Sequence, residues 1–254
     1  MTEHRLTRRA ALLTPLAVAV VPDAKAAVSR SLTVAGHNMT RGPVTRQVAR
    51  ATIGIGQEID AGRIRAGFPD RYRHWFPPRD RHQSISWDPR RFVVTDRGYV
   101  SFHRNGEAEG FPFGTPARGL VYVVGHLQSR PDLELAVAGT WWLNSWNPVG
   151  RHDRHTDSRR RVVEETTLPA VRTWVRRQHS LGRVVIVEGD TNSRPWPGRL
   201  PGLRQVKSRG LDRAWISDDR RIRLDGPVTA GPTTGVGDDR QHRSVHLRLE
   251  LTRK

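Results

Sequence analysis

Residues 184–190 read Val-Val-Ile-Val-Glu-Gly-Asp, a β-branched apolar run that gives way abruptly to carboxylates. Such a run is too short for a buried helix and suits a strand covered on both faces, which demands layers on either side of its sheet. Gly189-Asp190-Thr191-Asn192 then supplies good turn chemistry, because Asp and Asn bond to nearby backbone and tolerate left-handed dihedrals. The same four residues also suit a base and a polar ligand mounted beside a cleft, where open α/β sheets place their sites. Local sequence does not choose between these readings.

The pattern recurs along the chain. Residues 31–39 read as a first strand ending at Asn38, and a short helix from Pro43 leads to a strand of Ile53 and Ile55 that ends at Gln57-Glu58. Strand-like pieces fall at 85–87, 92–94 and 99–102, and 119–129 is a buried strand with His126 at its end. Residues 157–180 carry a helical apolar face interrupted by Pro169, with Gly182 as the stop. A short strand over 210–217 starts near Asp212. The last, 244–252, alternates Val245, Leu247, Leu249 and Leu251, with His246 beside them. Taken singly, each of these polar residues has a structural reading as a turn, cap or core group. Together they line strand ends throughout an α/β chain.

The 254 residues suffice for one large domain, and no Pro/Ser/Gly linker divides them. There is no cysteine, which excludes disulfides and thiolate metal sites. Net charge is +18, and all but three of the 43 basic residues (Lys25, Lys207, Lys254) are arginine. A surface this positive attracts polyanions, either nucleic acid or anionic lipid. Residues 1–26 have a basic head with Arg8-Arg9, an apolar stretch from Ala10 to Val21, and the small-residue site Ala24-Lys25-Ala26. That is the layout of an export signal of twin-arginine type, with an apolar stretch too short to span a bilayer. Its removal leaves residues 27–254 as a secreted domain of charge +16.

Asn38, "GIGQE", "VVGHL", "VIVEGDTN", "GLDRAWIS" and a final Ser-x-His, in this order, resemble the endonuclease/exonuclease/phosphatase superfamily, which includes deoxyribonuclease I. The resemblance covers residues 31 to 252. It implies an α/β (α+β) fold, a four-layered α/β/β/α sandwich of two packed mixed sheets, and a phosphodiesterase dependent on a divalent cation, Mg²⁺ first, with Mn²⁺ or Ca²⁺ as alternatives. It implies that Glu58 and Asn38 hold the metal and that Asp190, with Asn192 beside it, activates water. It further implies that Asp212 holds the ring of His246, and that His126 stands in the family's Thr-His-Leu motif to contact phosphate. Hard oxygen ligands suit such cations, and a positioned carboxylate is what turns water into a nucleophile.

One departure concerns the family's Ser-Asp-His, matched here to Ser244-Val245-His246, where valine cannot ligate metal; Asp238 or Asp239 offers a replacement. Three substrate readings follow. Nucleic acid is favoured by the charge, with arginines in 63–75 and 151–161 as candidate phosphate contacts. A sphingomyelinase-type or inositol-phosphate esterase is the alternative, with Trp141, Trp142 and Trp146 in an apparent inserted loop as membrane anchors. The third is a polyanion-binding homologue without turnover. No obligate protein partner is indicated.

Overall fold

A computed structural model describes residues 30–39, 42–78, 82–102, 118–143, 154–192, 199–209, 211–234 and 242–252. The expected leader, residues 1–26, lies outside them. Two mixed sheets pack face to face. The first holds β1 (Ser31–Asn38), β2 (Ile53–Gln57), β3 (Arg73–Trp75), β4 (Gln83–Trp87), β11 (Ile222–Leu224) and β13 (His242–Leu251) in the order β11-β13-β1-β2-β4-β3, with β12 (Thr229–Thr234) also on β13. The second holds β5 (Phe92–Ser101), β6 (Gly119–Leu127), β7 (Leu135–Trp141), β8 (Val184–Asp190), β9 (Leu203–Arg209) and β10 (Asp212–Ser217) in the order β5-β6-β7-β8-β10-β9.

Each sheet has one parallel pair, β1 with β2 and β7 with β8, and each pair is joined by a helical crossover. Helices α1 (Arg46–Arg50) and α2 (Ala61–Gly67) cover the first sheet through Val48, Ile64 and Phe68. Helices α3 (Arg154–Val162) and α4 (Leu168–Ser180) cover the second, with Val171, Trp174 and Val175 on its outer face. The expected interruption near Pro169 takes a definite form: a π-helical turn over Val163–Thr167 joins the two helices, and Pro169 sits in the first turn of α4 just after it, where the i→i−4 ladder is already broken. These are the four layers the sequence implied.

Between the sheets the alternation of the strands sorts side chains into rows. Leu32 and Val34 of β1, Ile53 and Ile55 of β2, Ile186 of β8, Ile216 of β10 and Leu247 of β13 all belong to one buried apolar cluster. Followed toward one end of the sandwich, each inner row turns polar: Asn38 on β1, Gln57 on β2, Glu188 and Asp190 on β8, Asp212 on β10. The deepest of these, Glu188, crosses from one sheet to the other, where its Oε1 accepts the Gly36 N–H of β1 at 2.8 Å. Only glycine leaves room, since a Cβ at position 36 would lie 2.7 Å from that oxygen.

Glu188 is fully buried, so desolvation raises its pKa well above the ordinary carboxylate range, against the Gly36 N–H and with help from the nearby Asp212. The folded state therefore holds its proton where the unfolded chain has lost it. Stability from this group is complete below about pH 4.5 and declines as pH rises toward the folded-state value, by at most about 1.4 kcal/mol per pH unit. Urea unfolding of the metal-free protein should show Glu188→Gln gaining on the wild type as pH rises from 4.5. Parallel stability curves would contradict this assignment.

Candidate functional site

The polar end of the sandwich brings five of the seven expected residues together. Asp190 ends β8 and lies directly opposite Asp212, the first residue of β10. Its Oδ2 accepts the Asn38 carboxamide N–H from the other sheet at 2.9 Å and the Asn192 side chain as well, while its Oδ1 accepts the Asn192 backbone N–H at 2.8 Å. Asn192 is held in turn by the Trp142 carbonyl at 3.1 Å. The Asn38 amide also donates to Glu58 Oε1 at 3.1 Å, so one carboxamide spans both carboxylates.

Backbone strain marks the same place. Among the described residues the two non-glycine residues with positive φ are Glu58 (53°) and Asn192 (45°). Asn adopts this region readily; Glu does so at a cost, and the turn is fixed by Ile59, buried under α2 just after it. Gly189 is required for a different reason: at φ 154° it lets β8 approach β7 so closely that a Cβ would lie 2.0 Å from the Thr140 carbonyl oxygen.

Two expected residues are elsewhere, and each displacement follows from strand register. Val245 pairs with Gly36, two residues below Asn38, so β13 reaches the level of Asn38 only before residue 245. The histidine that arrives there is His242, not His246. His242 Nδ1 lies 3.5 Å from Asp212 Oδ2 and 3.9 Å from Asp190 Oδ2, and its Nε2 is 3.4 Å from the Asn38 amide. His246 instead contacts Ser244 Oγ at 2.9 Å on the outer face of the first sheet. The triplet to compare with Ser-Asp-His is therefore Arg240-Gln241-His242, and the substituted position is Gln241, outside the described residues, as are Asp238 and Asp239. Val245 is simply core.

His126 is displaced further. β6 runs antiparallel to β7, and Gly119, its first residue, pairs with Trp141, which pairs with Asp190. His126 stands at the other end of the strand, about 20 Å away by strand rise, opposite Val93 of β5, with its Nδ1 3.1 Å from the adjacent Leu127 carbonyl oxygen. The strand that does end beside Asp190 carries Thr140-Trp141, so a tryptophan occupies the level expected for that histidine. Trp141 and Trp142 are buried parts of β7 and its exit, not members of an inserted loop, and neither is exposed to anchor in a membrane. Trp146 lies outside the described residues.

The electrostatics divide the groups by role. Burial alone would lower the pKa of His242, but the Asp190 and Asp212 carboxylates outweigh it and hold the imidazole up at about 9. Burial raises Asp190 to about 7, opposed by His242 and by the Asn38 hydrogen bond, and reinforced by Asp212 and Glu58. Neighbouring His37 is lowered to about 4 by burial, despite Asp212, and stays neutral. Ligand atoms of Asp190, Asp212 and His242 lie within 4.8 Å of one another, a spacing that also suits a cation. A protonated imidazole offers no lone pair, however, so this trio holds a proton in its metal-free state. Glu58, whose carboxylate receives the Asn38 amide N–H, is the hard oxygen donor here that suits Mg²⁺ or Ca²⁺, and Asn38, expected as its companion ligand, turns its N–H toward both carboxylates.

Among arginines 63–75, Arg63 pairs with Asp60, Arg71 with Asp88, and Arg65 stacks on Phe76, so three of the expected phosphate contacts already have partners.

No protein-family model and no curated protein matches the chain. Solved structures do. Truncated Caenorhabditis elegans TDP2 superposes with a TM-score of 0.60 at 14% identity, over 87% of this chain and 98% of that one. D. rerio TDP2 complexed with single-strand DNA product gives 0.56 at 11%, over 87% and 100%. An endonuclease/exonuclease/phosphatase family protein from Bacteroides thetaiotaomicron gives 0.55 at 12%, over 87% and 98%. The chain has the endonuclease/exonuclease/phosphatase, or deoxyribonuclease I-like, fold.

Two measurements check the reassigned histidine. In the metal-free protein, imidazole ¹⁵N shifts should show His242 protonated through pH 8, with a midpoint lowered in Asp190→Asn. Whatever activity the site has should fall about 10²–10⁴-fold in His242→Ala and survive in His246→Ala; the reverse ranking would return the role to His246.

Proposed function

We propose that this protein is a divalent-metal-dependent phosphodiesterase whose substrate is nucleic acid. The observation that carries the reading is Asp190: a carboxylate fixed by three hydrogen-bond donations from Asn38 and Asn192, beside a histidine that its neighbours keep cationic. Between about pH 7 and 9 the first is ionised and the second protonated, which is the state a base and an electrophilic donor need.

The proposed reaction uses these groups in order. Asp190 accepts a proton from water as the water oxygen bonds to phosphorus. Meanwhile the His242 N–H⁺ donates a hydrogen bond to a phosphoryl oxygen that gains charge, and the bond from phosphorus to the leaving oxygen breaks. Asp212 keeps the imidazole oriented and charged. A divalent cation held by Glu58 would neutralise phosphate charge at the start of this sequence, with Asn38 orienting that carboxylate. Because Trp141 stands where a second histidine was expected, the leaving oxygen takes its proton from solvent.

Nucleic acid is favoured over lipid by two things. The net charge of +18 is carried almost entirely by arginine, which grips phosphates bidentately, and two of the tryptophans that would support a membrane reading, Trp141 and Trp142, are buried. The DNA product held by the zebrafish protein of the same fold is consistent with this preference. We further propose, from Arg8-Arg9 and the apolar stretch after them, that the protein is exported with residues 1–26 removed.

Plasmid DNA incubated with residues 27–254 and Mg²⁺ should be nicked, and EDTA should stop it. Asp190→Ala should lower the rate by roughly 10²–10⁴-fold. Binding without nicking in Mg²⁺, Mn²⁺ or Ca²⁺ would make the protein a polyanion binder. Cleavage of sphingomyelin or inositol phosphates in place of DNA would overturn the choice of substrate.

A further inference from the structure

A cavity of about 660 Å³ lies on the outer face of the first sheet, between α1, β13 and the turn that leads into β12. None of Asn38, Glu58, Asp190, Asn192, Asp212 or His242 lines it. Its nearest approach to the catalytic cluster is through His246, four residues along β13 from His242 and so about 13 Å away. Nothing in the proposed reaction uses it.

Its chemistry is uneven. One wall is α1, which presents Gln47 and Arg50; the opposite wall is β13, which presents His246 and Arg248. Arg248 is already satisfied, because its Nε lies 2.7 Å from Asp225 Oδ2 and its carbonyl accepts the Asp225 N–H at 2.8 Å. That double tie fixes the turn with Pro227 as the third wall. Asp225 is the one carboxylate in the lining, so the Arg50 guanidinium is left as the uncompensated charge. It makes no ion pair among the described residues. His246 spends Nε2 on Ser244, which leaves Nδ1 for another partner. The floor between these groups is apolar, built from Ala35, Ala51 and the backbone of β1.

We propose that this cavity is a binding site for a phosphate monoester carried on a flat, partly apolar body of nucleotide size. The volume falls in the range of small-molecule sites, about 300–1,000 Å³. A single unpaired guanidinium, with the Gln47 amide on the same helix and the His246 imidazole on the facing wall, suits one terminal phosphate and not a track for a continuous backbone. The apolar floor between α1 and Pro227 receives the ring. The ligand is either a free mononucleotide or the 5′-phosphorylated end of a strand, both carrying the same chemistry.

Calorimetric titration of Asp190→Ala protein in EDTA tests this without turnover, and it stands whether or not the chain is a phosphodiesterase. AMP should bind, and adenosine and inorganic phosphate should each bind at least about tenfold more weakly, the worth of one charge-assisted contact. Arg50→Ala, an exposed change on a short helix, should weaken AMP by a similar factor and leave plasmid nicking by the otherwise wild-type chain unaltered. On AMP addition the imidazole signals of His246 should shift and those of His242 should not. A 5′-phosphorylated trinucleotide that competes with AMP identifies a strand end as the ligand, and failure to compete identifies a free nucleotide. Absence of AMP binding, insensitivity to Arg50→Ala, or shifts at His242 in place of His246 would overturn the proposal.

Discussion

A hydrogen bond between two buried side chains joins the two sheets at the point where the apolar core ends. The Asn38 carboxamide comes from the first sheet and the Asp190 carboxylate from the second, and they meet at 2.9 Å with neither side chain accessible to solvent. Burying that carboxylate is costly, and the cost is met by donors placed around it: Asn38 across the gap, the Asn192 backbone and amide beside it, and the His242 imidazole above. The Asn192 backbone takes a left-handed conformation to supply its donors, and Gly189 is needed for β8 to lie against β7. Much local detail at this end of the sandwich can be traced to the need to keep one carboxylate buried, hydrogen-bonded and near a positive charge.

The arrangement also explains why the polar layer is more than one residue deep. Asp190 is backed by Glu188, which spans the sheets on its own and whose burial disfavours its charged form, so charge is favoured toward the outermost row. His37, neutral, lies near Asp212 without competing with His242 for its proton. A buried charge beside polarisable neutral neighbours, with apolar packing beneath, is a setting in which a proton's position is well defined.

Much of this was legible in the sequence where a strand's own composition announced it. Val184–Val187 followed by Asp190 and Asn192, or Ile53-Ile55 followed by Glu58, show both a strand and the polar tip that joins the cluster. What misled was pairing, which is not written locally. His246 and His242 each sit in or beside the same alternating segment, and only the Gly36–Val245 register decides which reaches Asn38. His126 failed for a related reason: a strand has two ends, and its polarity relative to the sheet decides which end meets the site. The Trp-rich stretch from Gly139 suggests a loop because it masks the end of a strand buried along its whole length, and β3, β9, β11 and β12 are too short or too polar to announce themselves.

The register that brings His242 to Asn38 spans 204 positions of the chain. β13 is an interior strand of its sheet, flanked by β1 from the beginning of the fold and by β11 and β12 from near its end. Until it inserts, β1 has an open edge, the apolar cluster lacks Leu247 and Leu249, and Asp190 has no cation beside it. Closure of the sandwich and assembly of the site are thus one event, dominated by contacts distant in sequence and correspondingly slow. A nascent chain that has not yet released residue 242 holds Asn38, Glu58, Asp190, Asn192 and Asp212 with no imidazole beside the two aspartates: the last strand to leave the ribosome is the one that brings their counter-charge.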